Sequence, residues 1–265
     1  MKNKNLPSEK NPSPLERGRG EVKLAGFILA AGLGTRLKPW TDHHPKALAM
    51  VNGKSLLQRN VEYLQKFGIT DVVVNVHHFA DQIIEAIETH KGWGSNISIS
   101  DETDMVLETG GGLLKARDLL AGNDNFVLMN CDILTNLDLN QLINQHQKNH
   151  ALATLAVARR ETSRFLLFNP NHELVGWENI KTEEIKLPAK EKLGNASPTP
   201  MAFSGIHVIS SSIFDKINFT GKFSMIDLYL DLCASYKIMA YDHSNDMVLD
   251  VGKPEAILKA EEMFL

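Results

Sequence analysis

Cysteine is scarce. The chain carries two, Cys131 and Cys233, and no C-x-x-C pair, which excludes a zinc ribbon and a thioredoxin-like dithiol site. Two unclustered thiols fit a reducing cytoplasm. No apolar run reaches the ~18 residues that a membrane span needs. Positive charge is not in excess. The 28 Lys+Arg are outnumbered by 32 Asp+Glu, a formal net charge of −4, which argues against a nucleic-acid partner. Aromatic residues make up 7% and apolar residues 43% of the 265 positions, ordinary values for a soluble globular chain. That length suits one large α/β domain or two small ones, and a core of that size holds without disulfide or metal staples.

Periodicity is missing from residues 1–21, which hold Pro7, Pro12 and Pro14 among polar residues. They read as a disordered N-terminal tail, with the folded domain at 22–265. Basic residues from Lys2 to Lys23 precede the apolar stretch Leu24–Ala31, an arrangement superficially like a signal peptide. The stretch is short, has Glu21 and Lys23 at its edge, and runs straight into Gly32-Leu33-Gly34-Thr35-Arg36. It reads as a first core strand.

From Lys23 onward, strands and helices alternate. Leu24–Ala30 is continuously apolar, as a strand buried on both faces should be. Ser55 opens a helix with Leu57, Val61 and Leu64 on one face, and Gly68 closes it. Residues 72–76 (VVVNV) and 97–100 (ISIS) are strand-like, with a helical pattern over 79–89 between them. Helical character also follows the glycines over 110–120 and returns over 139–147. Residues 126–130 (FVLMN), ending at Cys131-Asp132, and 152–158 are strands. The pattern predicts βαβ units and a three-layer, Rossmann-like α/β fold with a mostly parallel central sheet. Past residue 160, FLLF and ELVGW flank an Asn169-Pro170-Asn171 turn, which predicts an antiparallel hairpin added to that sheet. Residues 178–200 read as irregular. A strand over 203–209, a helix near 225–235, a strand over 247–251 and a helix from Pro254 complete the expectation.

The chemistry concentrates in the loop after the first strand. Glycines there let backbone N–H groups approach a phosphate. Arg36 grips phosphate oxygens in pairs and Lys46, in Pro45-Lys46, adds a point charge. Together they describe a polyphosphate cradle. A Walker A loop needs a glycine where Leu48 stands before Gly53-Lys54-Ser55, and a dinucleotide fingerprint needs one where Leu37 stands after Gly32 and Gly34. Neither motif is met. Asp132 sits at the carboxyl end of a buried strand, where open α/β sheets bind ligands. A carboxylate beside phosphates is a natural Mg²⁺ ligand. Asp250, in Val248-Leu249-Asp250-Val251-Gly252, is a second acid at a strand end. Glu108-Thr109-Gly110-Gly111-Gly112 places three glycines at a helix start, where a flat base or a phosphate can touch backbone.

With these motifs taken in order (LAAGLGTRL…PKAL, ETGGG, NCD, FSGIHVI and LDVG), the chain resembles the sugar-1-phosphate nucleotidyltransferases from about residue 23 to 265. Within that family it is most similar to the N-acetylmuramate-1-phosphate uridylyltransferases of cell-wall recycling, and next to the mannose-1-phosphate guanylyltransferases. The resemblance implies an Mg²⁺-dependent enzyme whose partners are a nucleoside triphosphate, UTP by the first similarity, and a sugar 1-phosphate. It implies that Ala31, Gly32, Gly34 and Thr35 hold the triphosphate, that Arg36 stabilises departing pyrophosphate, and that Lys46 contacts the α-phosphate. Glu108, Thr109, Gly110 and Gly111 would border the base. Phe203, Ser204 and Gly205 would line the sugar pocket, and Asp132 and Asp250 would hold Mg²⁺. One departure stands out: the Glu-Lys-Pro sugar clamp of many relatives has no counterpart between Arg159 and Pro200.

A non-catalytic nucleotide-sugar sensor and a dinucleotide-dependent oxidoreductase are the competing classes. The four charged residues favour the enzyme over the sensor, and the missing third glycine speaks against the oxidoreductase. The ten histidines frame no metal site. His43-His44 and His77-His78 are adjacent pairs whose side chains diverge. His146 and His150, four apart, lack a third ligand and fit a helix C-terminus instead.

Overall fold

The first apolar run forms β1 (Leu24–Leu29), a central strand. In the computed structural model, which describes residues 23–264, Phe27 and Ile28 are both fully buried. Successive strand residues point to opposite faces, so the two side chains enter different cores, Ile28 one and Phe27 the other. Two covered faces make three layers, as expected. The tail proposed for 1–21 lies outside the described residues.

After β1 the chain forms β2 (Met50–Val51), β3 (Lys54–Ser55), α1 (Leu56–Gln65), β4 (Asp71–Val76), α2 (Ala80–Thr89), β5 (Asn96–Asp101), α3 (Glu108–Lys115), α4 (Arg117–Leu120) and β6 (Asn125–Asn130). There follow β7 (Ile133–Thr135), α5 (Leu139–Asn149), β8 (Ala153–Ala158), β9 (Arg164–Phe168), β10 (Leu174–Asn179), β11 (Glu184–Lys186) and β12 (Thr199–Ser210). The last elements are α6 (Met225–Leu232), β13 (Ile238–Asp242), β14 (Val248–Asp250) and α7 (Pro254–Met263). Ser55 caps α1 through its hydroxyl, which accepts from the Gln58 N–H at 3.1 Å, a cap that contributes about 1 kcal/mol. Leu57, Val61 and Leu64 of α1 join the Ile28 core, while Leu228, Tyr229 and Leu232 of α6 join the Phe27 core.

The main sheet runs β11-β10-β9-β12-β6-β1-β4-β5, with β8 beside β12 and β13 beside β8. Strands β6, β1, β4 and β5 are parallel. Strand β12 is antiparallel to β6, β8 and β9, and the β9–β10–β11 meander is antiparallel throughout. In register, Leu29 pairs with Asn75 on one side and Asn130 on the other. The carboxyl ends of β1, β4 and β6 therefore finish abreast, and their following loops share one rim.

Three details depart from the sequence reading. Strand β11 lies within the 178–200 segment expected to be irregular; its exposed Glu-Ile-Lys carries no alternation and is ordered by pairing with β10. Strand β13 was not anticipated. Its short Ile-Met-Ala-Tyr-Asp run is a strand because β8 templates it in parallel. The strand expected at 247–251 exists as β14, but it pairs with β7 outside the main sheet.

Candidate active site

Asn75 organises the loop after β1. Its side-chain oxygen accepts from the Ala30 N–H at 2.6 Å and the Ala31 N–H at 3.2 Å. Its amide donates to the Glu102 carboxylate at 2.7 Å. The second Glu102 oxygen accepts from the Leu107 N–H at 3.4 Å, and Glu102 is buried, which raises its pKa above the ordinary value. The loop then turns through Gly34 at φ 63, left-handed backbone that favours glycine, into a short 3₁₀ turn at Thr35–Leu37. The Thr41 hydroxyl donates to the Gly34 carbonyl at 3.0 Å. A Cβ on Gly34 would stand 2.9 Å from the Lys46 Cβ, so the turn and the lysine approach closely.

Asp132 follows β6. The Cys131 N–H donates to the Leu29 carbonyl at 3.1 Å, and the buried Asn60 amide donates to the Cys131 carbonyl at 2.6 Å. Strand β14 lies alongside, with Asp250 opposite Ile133 and the Val251 N–H donating to the Asp132 carbonyl at 2.8 Å. Asp132 and Asp250 thus come together on paired backbone. Each meets a cation: the Lys46 ammonium pairs with Asp132, and the Arg36 guanidinium lies 3.4 Å from Asp250.

These groups surround a cavity of about 360 Å³. Ala31, Gly32, Gly34, Arg36, Lys46, Glu108, Thr109 and Asp132 line it, joined by Asn75, Glu102, Asn130 and Gly252. Asp250 reaches it through its contact with Arg36 and its nearness to Gly252, whose Cβ would stand 2.6 Å from either side chain. No histidine is among the lining residues, and the Cys131 thiol is pushed up by burial, away from thiolate chemistry.

Other expected site residues sit differently. Thr35 lies in the 3₁₀ turn between two lining residues without lining the cavity itself. Gly110 and Gly111 do not line it either. Their backbone N–H groups donate to the Phe223 carbonyl at 2.9 and 3.1 Å, and their missing Cβ positions are filled by the Phe223 ring and the Gly221 carbonyl. At Gly112 a Cβ would stand 2.6 Å from Glu102. The glycine run lets α3 pack closely on the 221–225 segment. Glu108, at φ 58, lies 3.4 Å from Lys222, and the Thr109 hydroxyl accepts from the Met225 N–H at 2.9 Å. Phe203, Ser204 and Gly205 are outside the lining but abut it, since a Cβ on Gly205 would meet the Asn130 amide at 2.6 Å.

Asn75 and Glu102 were not among the expected site residues. The signal available was Asn75 itself, a polar residue inside an otherwise β-branched strand. His146 also differs from its sequence reading. It is buried between Thr154 and Asn125, and burial lowers its pKa to about 4, so it does not serve the helix dipole as a cation.

The sequence profile of the nucleotidyl transferase family matches residues 25–265. N-acetylmuramate alpha-1-phosphate uridylyltransferase of Caulobacter vibrioides is 30% identical over 238 residues, covering 89% of this chain and 94% of that protein. Mannose-1-phosphate guanyltransferase of Yarrowia lipolytica is 27% identical over 245 residues, covering 91% of this chain and 64% of that protein. The crystal structure of HddC from Yersinia pseudotuberculosis, complexed with GMP-PN, shares the fold with a TM-score of 0.71 at 23% identity, over 92% of this chain and 100% of that one.

Proposed function

The chain belongs to the nucleotidyl transferase family, and from that premise we propose that it transfers uridine monophosphate from UTP to a sugar 1-phosphate, with N-acetylmuramate 1-phosphate as the acceptor. The similarity to the Caulobacter uridylyltransferase over nearly its whole length supports this choice. The observation that carries the reading is the pairing of two cations with two carboxylates, Arg36 with Asp250 and Lys46 with Asp132, at the rim where β1, β4 and β6 end.

A phosphate oxygen of the acceptor attacks the α-phosphorus of the triphosphate. The bond from that phosphorus to the bridging oxygen breaks, and pyrophosphate leaves with the electron pair. The attacking oxygen is already an anion at neutral pH, so no general base is needed, in keeping with a cavity that no histidine lines. The barrier is the approach of two anions. Lys46 and Arg36 lower it by holding phosphate oxygens in line, and preorganised donors of this kind are worth on the order of 10²–10³ in rate each. The loop amides that Asn75 orients at Ala30 and Ala31 fix the backbone that faces the phosphates.

The donor set fits Mg²⁺. Asp132, just before β7, and Asp250, at the end of β14, offer hard carboxylate oxygens on paired backbone. Among the described residues no cluster of three or more His, Cys, Asp or Glu side chains forms. Two carboxylates leave room for phosphate oxygens and water, the shell that Mg²⁺ favours. When bound, the ion supplies positive charge at the transferred phosphate. A cytoplasmic site of action fits two free, buried cysteines and a described chain in which no helix is long and apolar enough to cross a membrane.

Transfer from GTP to mannose 1-phosphate is the second reading, supported by the Yarrowia similarity. Pyrophosphate release in Mg²⁺, measured over a panel of nucleoside triphosphates and sugar 1-phosphates, decides between them. The expected pair is UTP with N-acetylmuramate 1-phosphate. Release only with GTP and mannose 1-phosphate selects the second reading, and no release with any pair leaves a sensor.

A further inference from the structure

We infer that Arg160 selects the acceptor, its guanidinium reading a carboxylate on the sugar so that an acidic sugar 1-phosphate is taken in preference to a neutral one. The inference rests on the nucleotidyl-transfer reading above and names a residue for its acceptor end.

Strand β12 is irregular where it meets the site. Its register against β8 shifts between Phe203 and His207, and it pairs with β6 only from Ile206 onward. Gly205, at φ 74, packs on Asn130 and Ile133, two residues before and one after Asp132. The Phe203–Gly205 bulge therefore borders the residues on either side of Asp132. A bulge that re-aims a strand next to a site is a built feature, and polar contacts pin this one. The Arg160 guanidinium donates to the Phe203 carbonyl at 2.8 Å. The His243 Nε2 lies 2.7 Å from the Ser204 hydroxyl, with both residues buried.

Charge separates Arg160 from its neighbour. Arg159 is matched by Asp242 at 3.4 Å. Among the described residues Arg160 has no carboxylate within ion-pair distance, and it is exposed. One N–H is used on Phe203, which orients the planar group and leaves further donors for a second partner. An acidic sugar arriving beside Asp132 and Asp250, whose charges Lys46 and Arg36 already match, brings a carboxylate that finds no partner there. It therefore needs a cation at its far end, whereas a neutral sugar does not. A guanidinium held by one backbone carbonyl suits a carboxylate, which it can grip through two parallel hydrogen bonds.

The test compares two acceptors that differ by one group: N-acetylmuramate 1-phosphate, whose lactyl ether carries a carboxylate, and N-acetylglucosamine 1-phosphate, which lacks it. The quantity read is the ratio of kcat/KM for the acidic over the neutral acceptor. Wild type is expected to favour the acidic one. Arg160→Gln keeps a donor for Phe203 but removes the charge, and should lower the ratio roughly ten- to a hundredfold, mainly through the acceptor KM, as loss of a charged hydrogen bond does. Arg160→Lys should retain part of the ratio, and Arg159→Gln should leave it unchanged. Thermal melting confirms that each variant folds, with Arg160→Lys available should Arg160→Gln not fold. Equal use of both acceptors by wild type, or an equal loss on both in Arg160→Gln, overturns the inference while the transfer reading stands. Absence of pyrophosphate release with every acceptor overturns both.

Discussion

The Arg36 guanidinium lies 3.4 Å from the Asp250 carboxylate across 214 residues of chain. Both side chains are about half exposed, and an ion pair so exposed contributes at most about 1 kcal/mol. The fold therefore has little need of it. The parallel pair, Lys46 with Asp132, is more buried, so its loss destabilises more. Asp250→Asn should lower kcat about a hundredfold or more with a nearly unchanged melting temperature. Asp132→Asn should lose as much turnover and several degrees of stability. Titration with Mn²⁺, followed by its paramagnetic signal in the presence of UTP, should show weaker metal binding in both. Near-normal turnover in folded Asp132→Asn would rule out its role.

Two glycines of the first loop separate fold from function. Gly34 is held at positive φ with Lys46 and Thr41 close against it, whereas a Cβ on Gly32 would meet no protein atom within 4 Å. Gly34→Ala should destabilise by about 1 kcal/mol or more from backbone strain. Gly32→Ala should melt like wild type yet raise the UTP KM, because its new methyl meets no protein atom and is added to a residue that lines the cavity. Equal KM values for Gly32→Ala and wild type would remove Gly32 from the phosphate cradle.

The alternation of apolar runs and amphipathic stretches made the three-layer sheet legible, and the punctuation placed Arg36 and Lys46 in the loop after β1 and Asp132 just past the end of β6. That Asp250 joins Asp132 was not readable, because it depends on β14 pairing with β7, a contact between segments more than a hundred residues apart. Strand β13 was hidden for the same reason, its order coming from β8. The glycines at 110–112 were legible as close-approach positions but not as to what approaches. The Phe223 ring and the Gly221 carbonyl fill that space, and nothing in the local sequence names a partner so distant.

Asn75 should be sensitive to a change of one atom. Asn75→Asp keeps an acceptor for the Ala30 and Ala31 N–H groups but loses the donor to Glu102 and sets two carboxylates face to face. Burial already raises the Glu102 pKa, and a like charge beside it raises it further. An acid whose pKa is raised by folding favours the native state below its unfolded value, near 4.5, and that advantage is lost as pH rises through the folded value. The melting temperature of Asn75→Asp should therefore fall, relative to wild type, as pH increases above that value. Asn75→Leu, which frees both loop amides, should raise the UTP KM at every pH. A constant offset between Asn75→Asp and wild type across pH would mean that Glu102 does not feel position 75.

Acid should act first on the buried histidines. His146 sits in the last turn of α5, where the helix dipole favours a cation, but burial wins and lowers its pKa to about 4, against 6.5 for the free side chain. His207, hydrogen-bonded to the Tyr229 hydroxyl at 2.5 Å, is lowered by burial to about 3. A histidine held neutral contributes stability that is fully present above 6.5 and is lost as pH falls toward its folded value. Each buried histidine removes up to roughly 1.4 kcal/mol per pH unit within its window. Thermal melting should therefore show a decline beginning below pH 6.5. His146→Gln retains hydrogen-bonding groups for Thr154 and Asn125 without a titrating ring, and should flatten the part of the decline that lies above about pH 4. A profile for His146→Gln that runs parallel to wild type over that range would show that His146 takes up its proton without unfolding the site around it.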